Sequence, residues 1–598
     1  MEESTVPRPE YPRPDFVRRE WLCLNGPWEF AFDDDDQGTA HRWHDGRHLD
    51  GRIVVPFAYQ SPRSGIGDTS IHEVVWYARS LAVPDGWRGR HLLLHFGAVD
   101  YQATVWVNGR EVGHNRGGHV PFWFDIAPYV GPGENRLALR VVDRQSPEQP
   151  RGKQAASGKP RGIDYYCTTG IWQTVWLEPA GPLRIDRLRV TPLLEVDAFE
   201  VLVYLRAPAT GWRVEAEAVS DERVVAAASA ETSRAVVRLM LRIPGARRWT
   251  PDSPHLYGLR VRLKQDAEVI DEVETYAGLR SLELRAGRLM LNGEPVYLAM
   301  TLDQGYWRDG LLTAPSDAAL REDVLWAKRY GFNGVRKHQK IEDPRWLYWC
   351  DRLGLMVWGE MPNARGWSSA AEEALAAEWS RAVERDYNHP CIVTWVPVNE
   401  SMGFPGLREG HPGQYAFLER MVAVTRALDA TRPVIDNDGW EHTDITDICA
   451  IHDYSHSGQA LIERYAATTA GGPLPERIWT GSRAIFAAGS RYRGQPVMLT
   501  EVGGLLAAPD LPAEQRDRLY KVYATAHSPE EMLELYRDIV TGIARLPFVA
   551  GFCYTQLTDI EQEVNGLLTY DREPKIPPES IREVHRALFG LEGDSAEG

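Results

Sequence analysis

Ile392-Val393-Thr394-Trp395-Val396 is a short, largely β-branched run that stops, after Pro397-Val398, on Asn399-Glu400. Apolar residues at consecutive rather than alternating positions predict a strand buried on both faces, as in a parallel sheet covered by helices. The same design recurs on either side of it. Gly334-Val335-Arg336 runs into His338, Leu355-Met356-Val357-Trp358 into Glu360, and Val497-Met498-Leu499-Thr500 into Glu501. Val434-Ile435-Asp436 is followed by Asn437, and Ala550-Gly551-Phe552-Cys553-Tyr554 by Gln556 and Asp559. Helical segments are predicted between them, over Ser316–Tyr330 (Ser316 as N-cap), Tyr415–Leu428 and Pro529–Leu546. Alternation of this kind over residues 279–598 predicts a parallel (β/α)8 TIM barrel, a pattern that a doubly wound sheet shares.

The pattern upstream is different. Residues 1–180 read as short alternating strands split by Gly, Pro and Asp turns, such as Gln102-Ala103-Thr104-Val105-Trp106-Val107 before the hairpin pair Asn108-Gly109. This predicts a β-sandwich. Residues 181–278 form a second all-β stretch of the length expected for an immunoglobulin-like sandwich, with strands at Val201–Leu205, Val214–Ala218 and Leu259–Leu263.

Composition narrows the function classes. With 67 Lys plus Arg against 84 Asp plus Glu, the net charge of −17 repels phosphate backbones and anionic membranes, so neither nucleic acid nor a membrane is an expected partner. No apolar run approaches the roughly 18 residues of a membrane span, and Met1–Phe16 is polar and proline-rich and lacks the apolar core of a secretory signal, so a cytoplasmic location is expected. The six cysteines are scattered, with no C-x-x-C pair, and are expected as buried free thiols. The 21 Trp and 24 Tyr suit the apolar faces of sugars as well as ordinary cores.

In a barrel the functional groups gather where strands end at one face. Glu400 and Glu501 end separate strands, with Arg336, His338, Glu360, Asn399, Tyr454, Gln556 and Asp559 at or near neighbouring strand ends. Cleaving a glycosidic bond needs one carboxyl that donates a proton and a second that supports an oxocarbenium-like transition state. A pair of glutamates supplies both.

Asn388-His389-Pro390-Cys391-Ile392-Val393-Thr394-Trp395 through Asn399-Glu400 resembles the acid/base signature of glycoside hydrolase family 2. Gly331–Arg336 resembles the family's second barrel strand, and Trp249–Tyr257 the end of its sandwich domain. Val107-Asn108-Gly109, Gly117-Gly118-His119 and Gly170-Ile171-Trp172 resemble its N-terminal sugar-binding domain. The resemblance implies Glu400 as acid/base, Glu501 as nucleophile, Asn399 on the sugar 2-hydroxyl, and Arg336 and Tyr454 beside the nucleophile. It implies a carbohydrate substrate, no cofactor and no metal in the reaction, and allows a homo-oligomer. Glu400 would have to hold a proton near neutrality, through burial or through the negative charge of Glu501.

Two departures bear on the sugar. Members that take glucuronides typically carry an Asn-x-Lys pair whose lysine meets the sugar carboxylate; here the counterpart is Asn565-Gly566-Leu567, and no Asn-x-Lys occurs in the chain. A β-galactoside is therefore expected ahead of a β-glucuronide, arabinopyranoside or mannoside, with Lys337 as an alternative source of a cation. The second strand ends Arg336-Lys337-His338-Gln339, which shifts the histidine by one position from the commoner Arg-x-Ser-His. Two readings from other classes stand beside this one: a non-catalytic carbohydrate-binding protein, and a metal-dependent hydrolase using His452, Asp453, His338 and Glu360.

Overall fold

The structure is a computed structural model and describes residues 6–208, 210–478, 481–507, 519–520 and 524–591. The strands of the N-terminal region form sheets of four and six strands that enclose one core, built from Trp28, Tyr59, Val75, Tyr77, Leu94, Val105, Leu139 and Leu177. Its Asn108-Gly109 hairpin has φ of 52° and 73°, both in the left-handed region that a type I′ turn requires. Next come three- and four-stranded antiparallel sheets running from Ile185–Leu193 to Glu268–Ala277, seven strands around their own core.

The barrel follows. Its strands are β1 (Leu298–Asp303), β2 (Gly334–Lys337), β3 (Met356–Glu360), β4 (Ile392–Val396), β5 (434–438), β6 (Cys449–His452), β7 (Val497–Gly503) and β8 (Val549–Thr555). Seven of them pair in parallel in the order β4-β3-β2-β1-β8-β7-β6. β5 joins β4 through isolated parallel bridges, Trp395 to Val434 and Asn399 to Asp438, and the carbonyl of Gly439 just beyond it accepts the amide of His452 on β6 at 3.2 Å. β5 is irregular because Asp436 folds back on its own chain, accepting the amides of Asn437 (2.7 Å) and Thr443 (2.6 Å), in competition with the ladder. β1 ends Leu302-Asp303-Gln304 in the same apolar-to-polar manner as its neighbours, a strand that the sequence reading did not single out.

The helices begin where their caps dictate. Asp317–Arg329, Ser369–Asp386, Gly458–Arg464 and Pro529–Ala544 each start after a serine whose side chain accepts the amide three residues on. Each such cap contributes about 1 kcal/mol. Trp358 and Trp395, at 0% and 1% exposure, belong to the barrel core and offer no surface to a sugar. All six cysteines are free, five of them buried. No helix among the described residues is long and apolar enough to cross a membrane.

The sandwich is anchored on the barrel mouth by backbone. Both Arg151 and Gly152 donate their amides to the carbonyl of Asn363, at 3.2 and 3.1 Å. Gly152 has φ +58°, and a Cβ there would lie 2.5 Å from the carbonyl oxygen of Gln339. Only glycine fits this close approach. The seat delivers the next residue, Lys153, to the open end of the barrel.

Candidate active site

Glu501 lies within β7, and Glu400 on the turn that follows β4. Both Glu400 and Ser401 have positive φ, 53° and 54°, a conformation that costs about 1–3 kcal/mol in a non-glycine residue and persists only when over-determined. The constraints are visible. The Glu400 amide donates to the Asp438 carbonyl (2.8 Å), and the Ser401 amide to Oδ1 of Asn437 (2.8 Å). Asn437 and the backbone of Asp438 are thus taken up in holding this turn, while Asp436 accepts from Asn437, His442 and Thr443.

Arg336, fully buried at the end of β2, organises the floor. Its Nε lies 2.8 Å from Glu360 and 2.7 Å from Asp438, one terminal nitrogen donates to Oε1 of Glu501 at 2.8 Å, and the other to Oδ1 of Asn399 at 2.6 Å. The phenol of Tyr454 donates to Oε2 of Glu501 at 2.5 Å. Both oxygens of the nucleophile candidate are therefore aimed, one by a guanidinium and the other by a phenol. Burial alone would lower the Arg336 guanidinium, but Asp438, Glu360 and Glu501 more than offset it and keep it charged. With Oδ1 of Asn399 anchored, its Nδ2 is fully buried and has no hydrogen-bond partner among the described residues. An orphaned donor of this kind costs about 1–3 kcal/mol.

His452, at the end of β6, stands between the two glutamates. Its Nδ1 is 2.8 Å from Oε1 of Glu400 and 3.3 Å from Oε2 of Glu501, and its Nε2 is 3.5 Å from Asp438. One carboxylate oxygen from each glutamate and the histidine nitrogen all lie within 4.8 Å of one another. Burial disfavours the imidazolium, yet Glu501, Asp438 and Glu400 raise its pKa to about 10. The protonated imidazole lies between the two carboxylates as their counter-charge. The consequence for Glu400 corrects the expectation that burial or Glu501 would keep it protonated. Burial does push its carboxyl up, but the hydrogen bond and charge of His452 outweigh that and bring it below its ordinary value.

The other expected residues are placed unequally. His338 lines the cavity, 2.9 Å from Glu360, and burial together with Arg336 holds it neutral. Glu360 lies beneath, raised to about 7 by burial against the opposing pull of Arg336, and is a support for Arg336 rather than a wall. Gln556 is buried below the cavity, accepting from Gln304 and donating to Asn565, both at 2.8 Å. Asp559 faces away: it accepts from Lys575 (2.6 Å) and from the amide of Gly566 (2.8 Å), with its pKa lifted to about 6 by burial. Lys337 is not a cation for the cavity, because Asp303 (2.5 Å) and Glu342 (3.0 Å) hold it over the Trp346 ring. Asp453 is satisfied by Ser455, Arg464 and Tyr465, so the set proposed for a metal hydrolase does not converge.

The cavity above Glu400 and Glu501 has a volume of 390 Å³. Its wall includes Lys153, Gln304, Trp440, Arg483, Tyr520 and Glu563. Trp440 also lines it, whereas Trp367 packs on Phe404 and Phe417. Lys153 and Glu563 were invisible in the sequence because loops from distant segments bring them in. Gln304 was not, since it follows a strand of the same type as the others.

Eight parallel strands with convergent carboxylates at one end, preceded by two sandwiches, make a modular (β/α)8-barrel protein. Three family models match in succession: the sugar binding domain of glycosyl hydrolases family 2 over residues 22–179, glycosyl hydrolases family 2 over 184–280, and its TIM barrel domain over 282–588. The chain belongs to glycoside hydrolase family 2. It is 29% identical to a β-galactosidase of Thermoanaerobacter pseudethanolicus over 69% of this chain, a match that spans 54% of that protein. It is 26% identical to a β-glucuronidase of Paenibacillus borealis over 95% of this chain and 97% of the other. The β-glucuronidase structure from Ruminococcus gnavus superposes with a TM-score of 0.76 at 19% identity, over 96% of this chain and 99% of that one, and shares the fold.

Proposed function

We propose that this protein is an exo-acting, retaining β-glycosidase that removes a terminal sugar by double displacement. The observation that carries the reading is the spacing of Glu400 and Glu501, whose carboxylate oxygens come within 4.8 Å. One pair of oxygens this close favours the roughly 5–5.5 Å carboxyl separation of a nucleophile pair over the ~6.5–9.5 Å that an inverting enzyme leaves for water. In this reading Glu501, oriented by Arg336 and Tyr454, attacks the anomeric carbon, Glu400 protonates the departing oxygen, and Nδ2 of Asn399 binds the 2-hydroxyl. His338 forms a wall of the sugar site, Glu360 and Gln556 act from beneath it, and Asp559 braces the outer loop. Following the anomers by NMR tests this: the first sugar released from an aryl β-glycoside is expected in the β form. An α product seen first would overturn the retaining reading.

For the sugar, the missing Asn-x-Lys lysine favours a β-galactoside. One observation favours a β-glucuronide instead: Lys153 is 5% exposed, lines the cavity, and has no carboxylate partner among the described residues. Its ammonium is available to an acidic sugar. Comparing kcat/KM for the aryl β-D-galactoside and β-D-glucuronide separates the two. On the first reading the galactoside is faster and Lys153→Met changes little. On the second the glucuronide is faster and Lys153→Met lowers its kcat/KM about 10- to 100-fold, the worth of one charge-assisted hydrogen bond.

A further inference from the structure

We propose that His452 is the positioning residue that stores the proton of the reaction: the Nδ1–H lodged between Glu400 and Glu501 is the proton that Glu400 delivers to the leaving group. The inference rests on the retaining reading above and goes beyond it in saying where the proton resides. The geometry leaves the imidazole few other roles. Its ring is fully buried and reaches no solvent, and its two nitrogens face only carboxylates, Glu400 and Glu501 from one and Asp438 from the other. The seat is made to measure. Gly439, at φ +105°, is the residue whose Cβ would fall 2.7 Å from the ring, and its carbonyl accepts the His452 amide at 3.2 Å. Trp440 closes the ring's edge at a centroid distance of 5.3 Å.

The groups facing this proton are accounted for on every side. β4 contributes Glu400, β5 Asp438, and β7 Glu501. Arg336 from β2 approaches only through Asp438 and Glu501, which it shares with His452. Beyond β2, His338 is a neutral neighbour. Tyr454 is committed to Glu501, and Lys153 acts from across the cavity on Glu400. Three carboxylates against one guanidinium leave a deficit of positive charge that a proton on the imidazole satisfies. With that proton in place, Glu400 rests ionised in the free enzyme, and the acid form of the pair must be generated during the reaction.

The steps balance. As the bond from the anomeric carbon to the glycosidic oxygen breaks and a Glu501 oxygen takes the carbon, the electron pair stays on the departing oxygen, which receives a proton from Glu400. Glu400 obtains that proton from Nδ1 of His452 along the existing 2.8 Å hydrogen bond, leaving the imidazole neutral beside an esterified, uncharged Glu501. In the second half Glu400 takes a proton from the attacking water and returns it to Nδ1, while Glu501 is released as a carboxylate that again favours the imidazolium. The loss and regain of charge on Glu501 therefore drives the proton out of and back onto His452.

The test uses the full chain and an aryl glycoside that the wild type hydrolyses; failure to find any such substrate would count against the glycosidase reading and not this one. Glutamine keeps a hydrogen-bond donor but cannot carry the charge. In His452→Gln the proton must reside on Glu400, so the alkaline limb of the kcat/KM–pH profile is expected to move down by a pH unit or more. At pH 8 the loss should be tenfold or greater for an alkyl or phenyl leaving group, and under threefold for dinitrophenol, which departs without protonation. A purely structural role would depress all leaving groups alike and leave the limb in place, and that result overturns the proposal. His452→Ala, assayed with added imidazoles, covers poor folding of the glutamine variant: an alkaline limb that follows the pKa of the added base supports proton storage at this position, and one that ignores it refutes it.

Discussion

Glu501→Ala is expected to lose activity on the order of 10⁴- to 10⁶-fold in kcat, the largest single effect in the molecule, because it removes the carboxylate that Arg336 and Tyr454 orient as the nucleophile. The variant is also expected to fold. Arg336 keeps Glu360 at 2.8 Å and Asp438 at 2.7 Å, so its buried charge remains compensated. What is left where the carboxylate stood is a guanidinium nitrogen and the Tyr454 hydroxyl, both previously within 2.8 Å of Glu501 and both suited to an anion. Azide should occupy that space and attack an activated β-glycoside from the opposite face in a single displacement, giving an α-glycosyl azide. Product configuration is the measurement. A β-azide from this variant reverses the assignment of the two glutamates, and a loss of only a few fold places the nucleophile elsewhere.

The sequence foretold the parts of this arrangement that depend on local pattern. Buried parallel strands advertise themselves as continuous apolar runs, and a polar residue after each run falls at the functional end of the barrel, so Arg336, Asn399, Glu400 and Glu501 could be gathered before any coordinates. β5 was anticipated at Val434–Asp436, but its irregularity was not, because the side chain of Asp436 decides it by competing for backbone amides. Asp559 satisfied the strand-end rule and yet faces away, since rotation of the loop toward Lys575 is a tertiary fact. His452 was noticed only as one of several metal-ligand candidates. Its place between two carboxylates depends on β4, β6 and β7 meeting across the ring, with Gly439 leaving room, and no spacing along the chain encodes that. Lys153 depends in turn on the docking of a whole sandwich through Gly152.

Glu400→Ala is expected to separate the two halves of the reaction by leaving group. Glu501 keeps Arg336 and Tyr454 in this variant, and His452 keeps Glu501 and Asp438, so the nucleophile and its charge environment survive. What is lost is proton transfer, typically about 10² to 10⁴ in rate. For a phenyl or alkyl glycoside that loss should appear in full in kcat/KM, because its oxygen cannot depart as an anion. For a dinitrophenyl glycoside the first half should proceed at close to the wild-type rate, since the departing oxygen needs no proton. The glycosyl–Glu501 ester then accumulates, because no base remains to activate water, and kcat falls with KM instead of leaving KM unchanged. Azide requires no deprotonation, so it should intercept the ester and restore turnover, and because this is the second of two displacements the product is the β-glycosyl azide. The open face that Glu400 vacates, on a side chain that was 17% exposed, gives azide its entry. Equal losses for good and poor leaving groups, with no response to azide, would show that Glu400 serves the fold or the binding of the sugar and that the proton reaches the leaving oxygen from another residue.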